Sequence, residues 1–206
     1  RLTFLACVGL AAYALYWTQF SVNTAIYRAT FLAAVLALLF ILTPARAPSR
    51  GVLIEHAAAS LVAIGLLAFV TIDRDLVAKG GAAPAVMGVA ALGFVLTPFA
   101  AAWRPLGWWR PETWLFAALA IAAAIYLSVE IEHYKTRPTR PTPDEVALGT
   151  VLMLLVLEAT RRTVGWILPF IVLLFLLYAW FGAAMPEPFD HRGFSINRIV
   201  GQNFLT

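Results

Sequence analysis

Of the 206 residues, 62% are hydrophobic and only 13% charged, and the mean hydropathy is +0.83. A soluble domain carries roughly a quarter of its residues as charges to cover its surface. Half that share excludes an ordinary soluble domain and points to an all-α integral membrane protein. The net charge of +4 and the pI near 9.6 would suit a nucleic-acid binder. However, the 15 lysines and arginines stand in ones and twos at the ends of apolar segments and form no basic face. Cations so placed act as interfacial anchors and topology signals, so the expected partners are membrane lipids and not nucleic acid.

The first apolar run, Leu2–Phe20, resembles a signal-peptide core but lacks an A-x-A-type cleavage site before the next span, so it reads as a retained helix. Arg1 in place of an initiator methionine implies that residues precede it. Ala25–Thr43 is the second span, with Arg28 one turn inside its start. Pro44–Gly51 is a turn marked by two prolines and two arginines. Val52–Ile72 and Ala83–Trp103 are the third and fourth spans, joined by a polar stretch from Asp73 to the glycine pair ending at Gly81. Arg104–Pro111 holds Trp108, Trp109 and two arginines, an aromatic-and-cation belt. Thr113–Ile131, rich in alanine, is the fifth span, and small residues let helices approach closely in lipid. Residues 1–131 are thus five generic spans.

Residues 132–145 form a polar connector stiffened by Pro138, Pro141 and Pro143. Residues 146–184 hold a helix pair. Val146–Leu157 precedes Glu158 and, at 1.5 Å per residue, covers about 18 Å against a hydrocarbon core of about 30 Å. Such a helix is expected to be re-entrant, interfacial or buried in protein. Val164–Ala184 is long enough to cross. The pair is either a hairpin turning at Arg161–Gly165 or one kinked helix, with a bend near Pro169 in either case. Residues 185–206 read as an interfacial tail. The total is about six to seven transmembrane helices. Seven crossings would put seven cations on the Arg1 side and eight on the other, so the positive-inside rule sets no orientation.

The single cysteine, Cys7, permits no disulfide within one chain. His56, His133 and His191 lack metal-ligand spacing, and no phosphate loop or nucleophile–base pair occurs, so neither catalysis nor a cofactor is expected. The sharpest local feature is Glu158-Ala-Thr-Arg161-Arg162. On a helix, the acid reaches both bases at i+3 and i+4, acid first, near a C-terminus whose dipole favours cations. It reads as an ion-paired end-cap anchoring the helix at the headgroups, with a role in partner contact or gating as the alternative. Glu55 and His56, like Glu130, Glu132 and His133, stand near span ends, where snorkelling to water explains them. Asp73 and Asp75 belong to a solvated loop. His191-Arg192-Gly193 is a loop or a docking turn.

Asp144 to Ser195 carries a resemblance. The stretches D-E-V-A-L-G, L-L-V-L-E-A-T-R-R-T-V-G-W-I-L-P, F-L-L-Y-A-W-F-G and H-R-G-F-S resemble the N-terminal, small-permease-like region of fused permeases of tripartite ATP-independent periplasmic (TRAP) transporters, TAXI type. The matching positions are Gly149, Leu157, Glu158, Arg161, Arg162, Gly165, Trp166, Leu168, Pro169, Tyr178, Gly182, His191, Arg192 and Gly193, within about 50 of the 206 residues. The earlier helices match only as apolar spans. The resemblance implies a multi-pass permease of the bacterial inner membrane, working with a periplasmic substrate-binding protein and driven by an ion gradient, commonly sodium, to take up carboxylate-bearing solutes. It implies that a large permease domain, following Thr206, holds the substrate and ion sites and moves, while the small region is a static scaffold. Glu158, Arg161, Arg162, Trp166, Pro169, His191 and Arg192 are then structural or partner-contact residues. The family's small region has four spans, so Arg50–Arg110 looks like an added pair. The alternative function is a structural accessory subunit of a larger bacterial membrane complex, respiratory or photosynthetic, without transport activity.

Overall fold

The computed structural model describes residues 2–19, 24–43, 49–73, 81–102, 110–136, 141–182, 185–189 and 191–205. Most of the Pro44–Gly51 turn, the connection after Asp73, the Trp108/Trp109 belt and residues 137–140 lie outside the described residues.

The chain is all-helical, with no strand among the described residues. The helices are α1 (Leu2–Gln19), α2 (Thr24–Leu42), α3 (Arg50–Asp73), α4 (Ala83–Ala102), α5 (Pro111–Thr136), α6 (Pro143–Val164), α7 (Ile167–Phe181) and α8 (Ile196–Leu205). Three are long and apolar enough to cross a membrane: Arg50–Asp73, Ala83–Ala102 and Pro111–Glu130. Thr3–Trp17, Ile26–Leu42 and Ile167–Phe181 are shorter apolar helices.

Helices α3 and α4 each contribute one stripe to the core. On α3 the buried residues are His56, Ser60, Ala63, Leu67 and Val70, and on α4 they include Ala83, Met87, Ala90, Phe94, Thr97 and Ala101. Steps of three and four keep each stripe on one helical face. Helix α5 packs on α2 and α4, and α3 packs on α4. The rings of Phe40, Phe94 and Phe116 meet at the centre, with centroids 5.1 and 4.9 Å from Phe116. Gly93 makes room for that cluster, because a Cβ there would lie 2.6 Å from the Phe116 ring.

Helix α6 is central and touches α2, α3, α4, α5, α7 and α8. Its buried residues run from Glu145 to Arg161 and occupy more than one face. The expected 12-residue segment is therefore corrected. The helix has 22 residues, about 33 Å at 1.5 Å per residue, and counting only apolar residues truncated it. It is buried in protein, one of the options its composition left open. The connector is shorter than expected as well, since α5 continues to Thr136 and α6 begins at Pro143. Thr142 caps α6 with a full capping box: its hydroxyl accepts from the Glu145 amide at 3.3 Å, and the Glu145 carboxylate accepts from the Thr142 amide at 2.6 Å. Asp144 reaches across to accept from the Ala83 amide at 2.7 Å, which caps α4 as well.

The α6–α7 pair is a hairpin. Gly165 ends α6 at φ +94°, outside the usual range of L side chains, and its amide donates to the Arg161 carbonyl. Helix α7 then returns along α6, so that Leu157 and Pro169 flank one recess while Met153 and Leu176 share another. The bend expected at Pro169 is not needed: Pro169 sits in the first turn of α7, where helices tolerate proline. The expected interfacial tail is also partly ordered helix, since α8 buries Ile196 and Val200 against α6.

Candidate functional site

A charged cluster lies where the C-terminal turns of α2 and α6 meet the first turns of α3. Acid at 158 and bases at 161 and 162 place all three on neighbouring rows of α6. Both Arg161 Nε and Nη2 donate to the two Glu158 oxygens, at 2.8 and 2.7 Å, a bidentate fork. Arg162 Nε donates to Glu158 Oε1 at 2.7 Å. One carboxylate thus serves two guanidiniums, and the side chains of all three residues are less than a tenth exposed.

The cluster reaches other helices through the arginines. Arg161 Nη2 donates to His56 Nδ1 on α3 at 2.7 Å, which leaves the proton of that neutral ring on Nε2. Arg162 Nη1 donates to the Thr43 carbonyl at 3.3 Å. That carbonyl follows the last turn of α2, so the guanidinium meets the negative end of the helix. Arg162 also lies 5.2 Å from the Phe40 ring and 5.6 Å from that of Phe116, and Arg161 lies 5.4 Å from Trp166. Rings at such distances attract a desolvated cation.

The expected end-cap at the headgroups is therefore corrected. Glu158 and Arg161 are buried, and the cluster is bonded to His56 on α3 and to the Thr43 carbonyl that follows α2. His56 is corrected too: it is 5% exposed and bonded, whereas its neighbour Glu55 faces outward as expected. No local signal marks His56, because its partner is 105 positions away. Sequence reasoning also passed over Glu112, which is fully buried in the first turn of α5.

A second set of contacts closes the far end of α7. His191 Nε2 donates to the Tyr178 carbonyl at 3.2 Å, and its Nδ1 accepts from the Gly193 amide at 3.0 Å. The His191 amide donates to the Gly182 carbonyl and the Phe194 amide to that of Ala179. Helix α7 thus finds partners for its last carbonyls, which a helix end otherwise lacks. The ring packs on Gly182 so closely that a Cβ there would overlap it. His191 thus lies in a non-helical stretch that is bonded to the end of α7. Arg192 beside it is exposed. Trp166 and Pro169 line the recess beside Glu158 and Arg161, of about 40 Å³. A solute needs a cavity of about 300–1,000 Å³. The recesses of about 140 and 370 Å³ along the hairpin are walled mainly by leucine, valine and methionine.

No family model, curated protein or solved structure matches the chain.

Proposed function

We propose that this chain is the static scaffold region of a TRAP-type, TAXI-like solute uptake transporter in the bacterial inner membrane. In this reading α1 to α5 cross the bilayer and the α6–α7 hairpin completes six to seven spans. The chain stands beside a large permease domain that binds solute and ion, and a periplasmic binding protein delivers the solute.

One observation carries the reading. Glu158, Arg161, Arg162, Gly165 and His191, five of the positions that resemble the family, act as fasteners between helix ends. Glu158, Arg161 and Arg162 hold α6 to α2 and α3. Gly165 turns the hairpin, Trp166 covers Arg161, and His191 locks the end of α7 at Gly182. Buried charges that are paired with one another resist movement, because breaking a buried pair strands an ion. Such a set suits a part that stays still while another moves. The membrane reading is supported by three helices of crossing length and by the apolar side chains exposed along α7.

Purification from native membranes in mild detergent tests the proposal. A large permease in the same particle, with a binding protein attached, is the expected result. Co-purification with a respiratory or photosynthetic complex instead would overturn it and support an accessory subunit.

A further inference from the structure

Helix α7 packs chiefly on α6 and leaves a cleft between α2, α6 and itself. The cleft holds about 370 Å³ between Leu32 of α2, Leu152 and Val156 of α6, and Val172 and Leu176 of α7. Among the described residues that line it, only Thr160 has a polar side chain, and its hydroxyl donates to the Val156 carbonyl at 2.7 Å. Along α6 the cleft runs from Gly149 to Thr160, about 16 Å at 1.5 Å per residue. One hydrocarbon leaflet is about 15 Å deep. A helix about 10 Å across would need about 1,300 Å³ over that length, more than three times the space present. A single acyl chain is an apolar body that is this long and this thin.

One end of the cleft carries a cation at headgroup depth. Thr43 meets Arg162 where α2 and α6 end, and Leu32 shares the cleft with Gly149 and Leu152, so the two helices run parallel. Counting back equally from Thr43 and Arg162 sets Leu32 level with Val151 and Arg28 level with Ala147, just past the Gly149 end. Arg28 is exposed and, four residues before Leu32, stands on the same face of α2. Its neighbour Tyr27 stacks on Tyr13 of α1 with centroids 6.1 Å apart, and Tyr13 meets Trp17 edge-on at 5.8 Å. Tyrosine and tryptophan gather at the boundary between hydrocarbon and headgroups, which sets Arg28 at the depth of the phosphates.

We infer that the cleft between α2, α6 and α7 is a site for one phospholipid, with an acyl chain laid along Gly149–Thr160 and the phosphate held by Arg28. A chain already in a bilayer gains no hydrophobic energy by entering the cleft. Its retention rests on close packing against the walls and on the charge-assisted contact with Arg28. Bound there, the lipid shields Leu152 and Val156, half-buried in the protein alone, from exchanging bilayer components, and completes the enclosure of α6. The site rests on the membrane reading of the chain and not on transport.

Native mass spectrometry of the full chain, purified in mild detergent, tests the site. One phospholipid per chain is expected to survive a delipidating wash of the unaltered protein. Arg28→Gln is expected to weaken retention about ten-fold, the worth of a hydrogen bond to a charged group. Arg50→Gln, at an exposed cation that opens α3 at the opposite end of the bundle, leaves it unchanged. Val172→Trp narrows the cleft and is expected to abolish retention; should that variant fail to fold, Arg28→Gln decides the point. No retained lipid in the unaltered protein, or equal retention with Arg28→Gln, would overturn the inference. A chain recovered from cells without detergent would overturn the membrane reading along with the site.

Discussion

The two arms of the α6–α7 hairpin invert what a soluble protein does. Helix α6 carries Asp144, Glu145, Glu158, Arg161 and Arg162, yet most of it is buried. Helix α7 carries no charge at all, yet Ile167, Phe170 and Phe175 are 77%, 65% and 65% exposed, and only Pro169 is buried. In water such an apolar arm would be driven inward. The arrangement is stable where the surroundings are as apolar as leucine and the polar groups must find one another inside. Association of α6 with its neighbours then rests on hydrogen bonds and close packing, and α7 needs only to be held at its ends, by Gly165 and by the His191 turn.

The comparison breaks most sharply at Glu158. Glu158→Leu strands two buried guanidiniums, and losing one partner of a buried pair costs about 3–5 kcal/mol. The thermal transition in mild detergent should therefore fall steeply or vanish, and an unchanged transition would show that the cluster holds nothing together. A smaller loss is expected at the far end of α7. Gly182→Ala forces a methyl group into the His191 ring, and overpacking of this kind costs about 1–3 kcal/mol. Replacing His191 by alanine in the same chain should recover part of the loss, as thermal melts would show.

How much of this was legible follows the range of the contacts. The Glu158–Arg161–Arg162 unit could be read directly, because i+3 and i+4 neighbours meet on any helix. The positions of most apolar helices were legible from apolar runs, whereas hairpin and kinked helix stayed open at Arg161–Gly165 until packing decided between them. What the cluster touches was not, since His56, Thr43 and Phe116 are distant in sequence and only packing brings them together. The length of α6 was missed for a related reason. A helix enclosed by other helices can carry charge at both ends, so its apolar run understates it. Glu112 was passed over because no local pattern distinguishes a lone acid in a first helical turn, and only packing shows it to be buried.

Two finer changes sharpen the contrast. Thr142→Ala removes the hydroxyl from the α6 capping box, for which about 1 kcal/mol is expected, measurable as a modest shift of the same transition. Phe170→Ala on the exposed face of α7 should change stability in detergent by no more than about 0.5 kcal/mol. A large loss there would mean that protein, and not an apolar solvent, covers this face.

The central claim is that α6 is enclosed by the chain while α7 faces lipid. Labelling the unaltered protein in bilayers with a lipid-soluble carbene precursor, followed by peptide mapping, tests it without mutation. Heavy labelling of Phe170, Leu174 and Phe175 is expected, with little on α6 from Val146 to Ala159. Labelling of α6 as heavy as that of α7, or an unlabelled α7, would contradict the account.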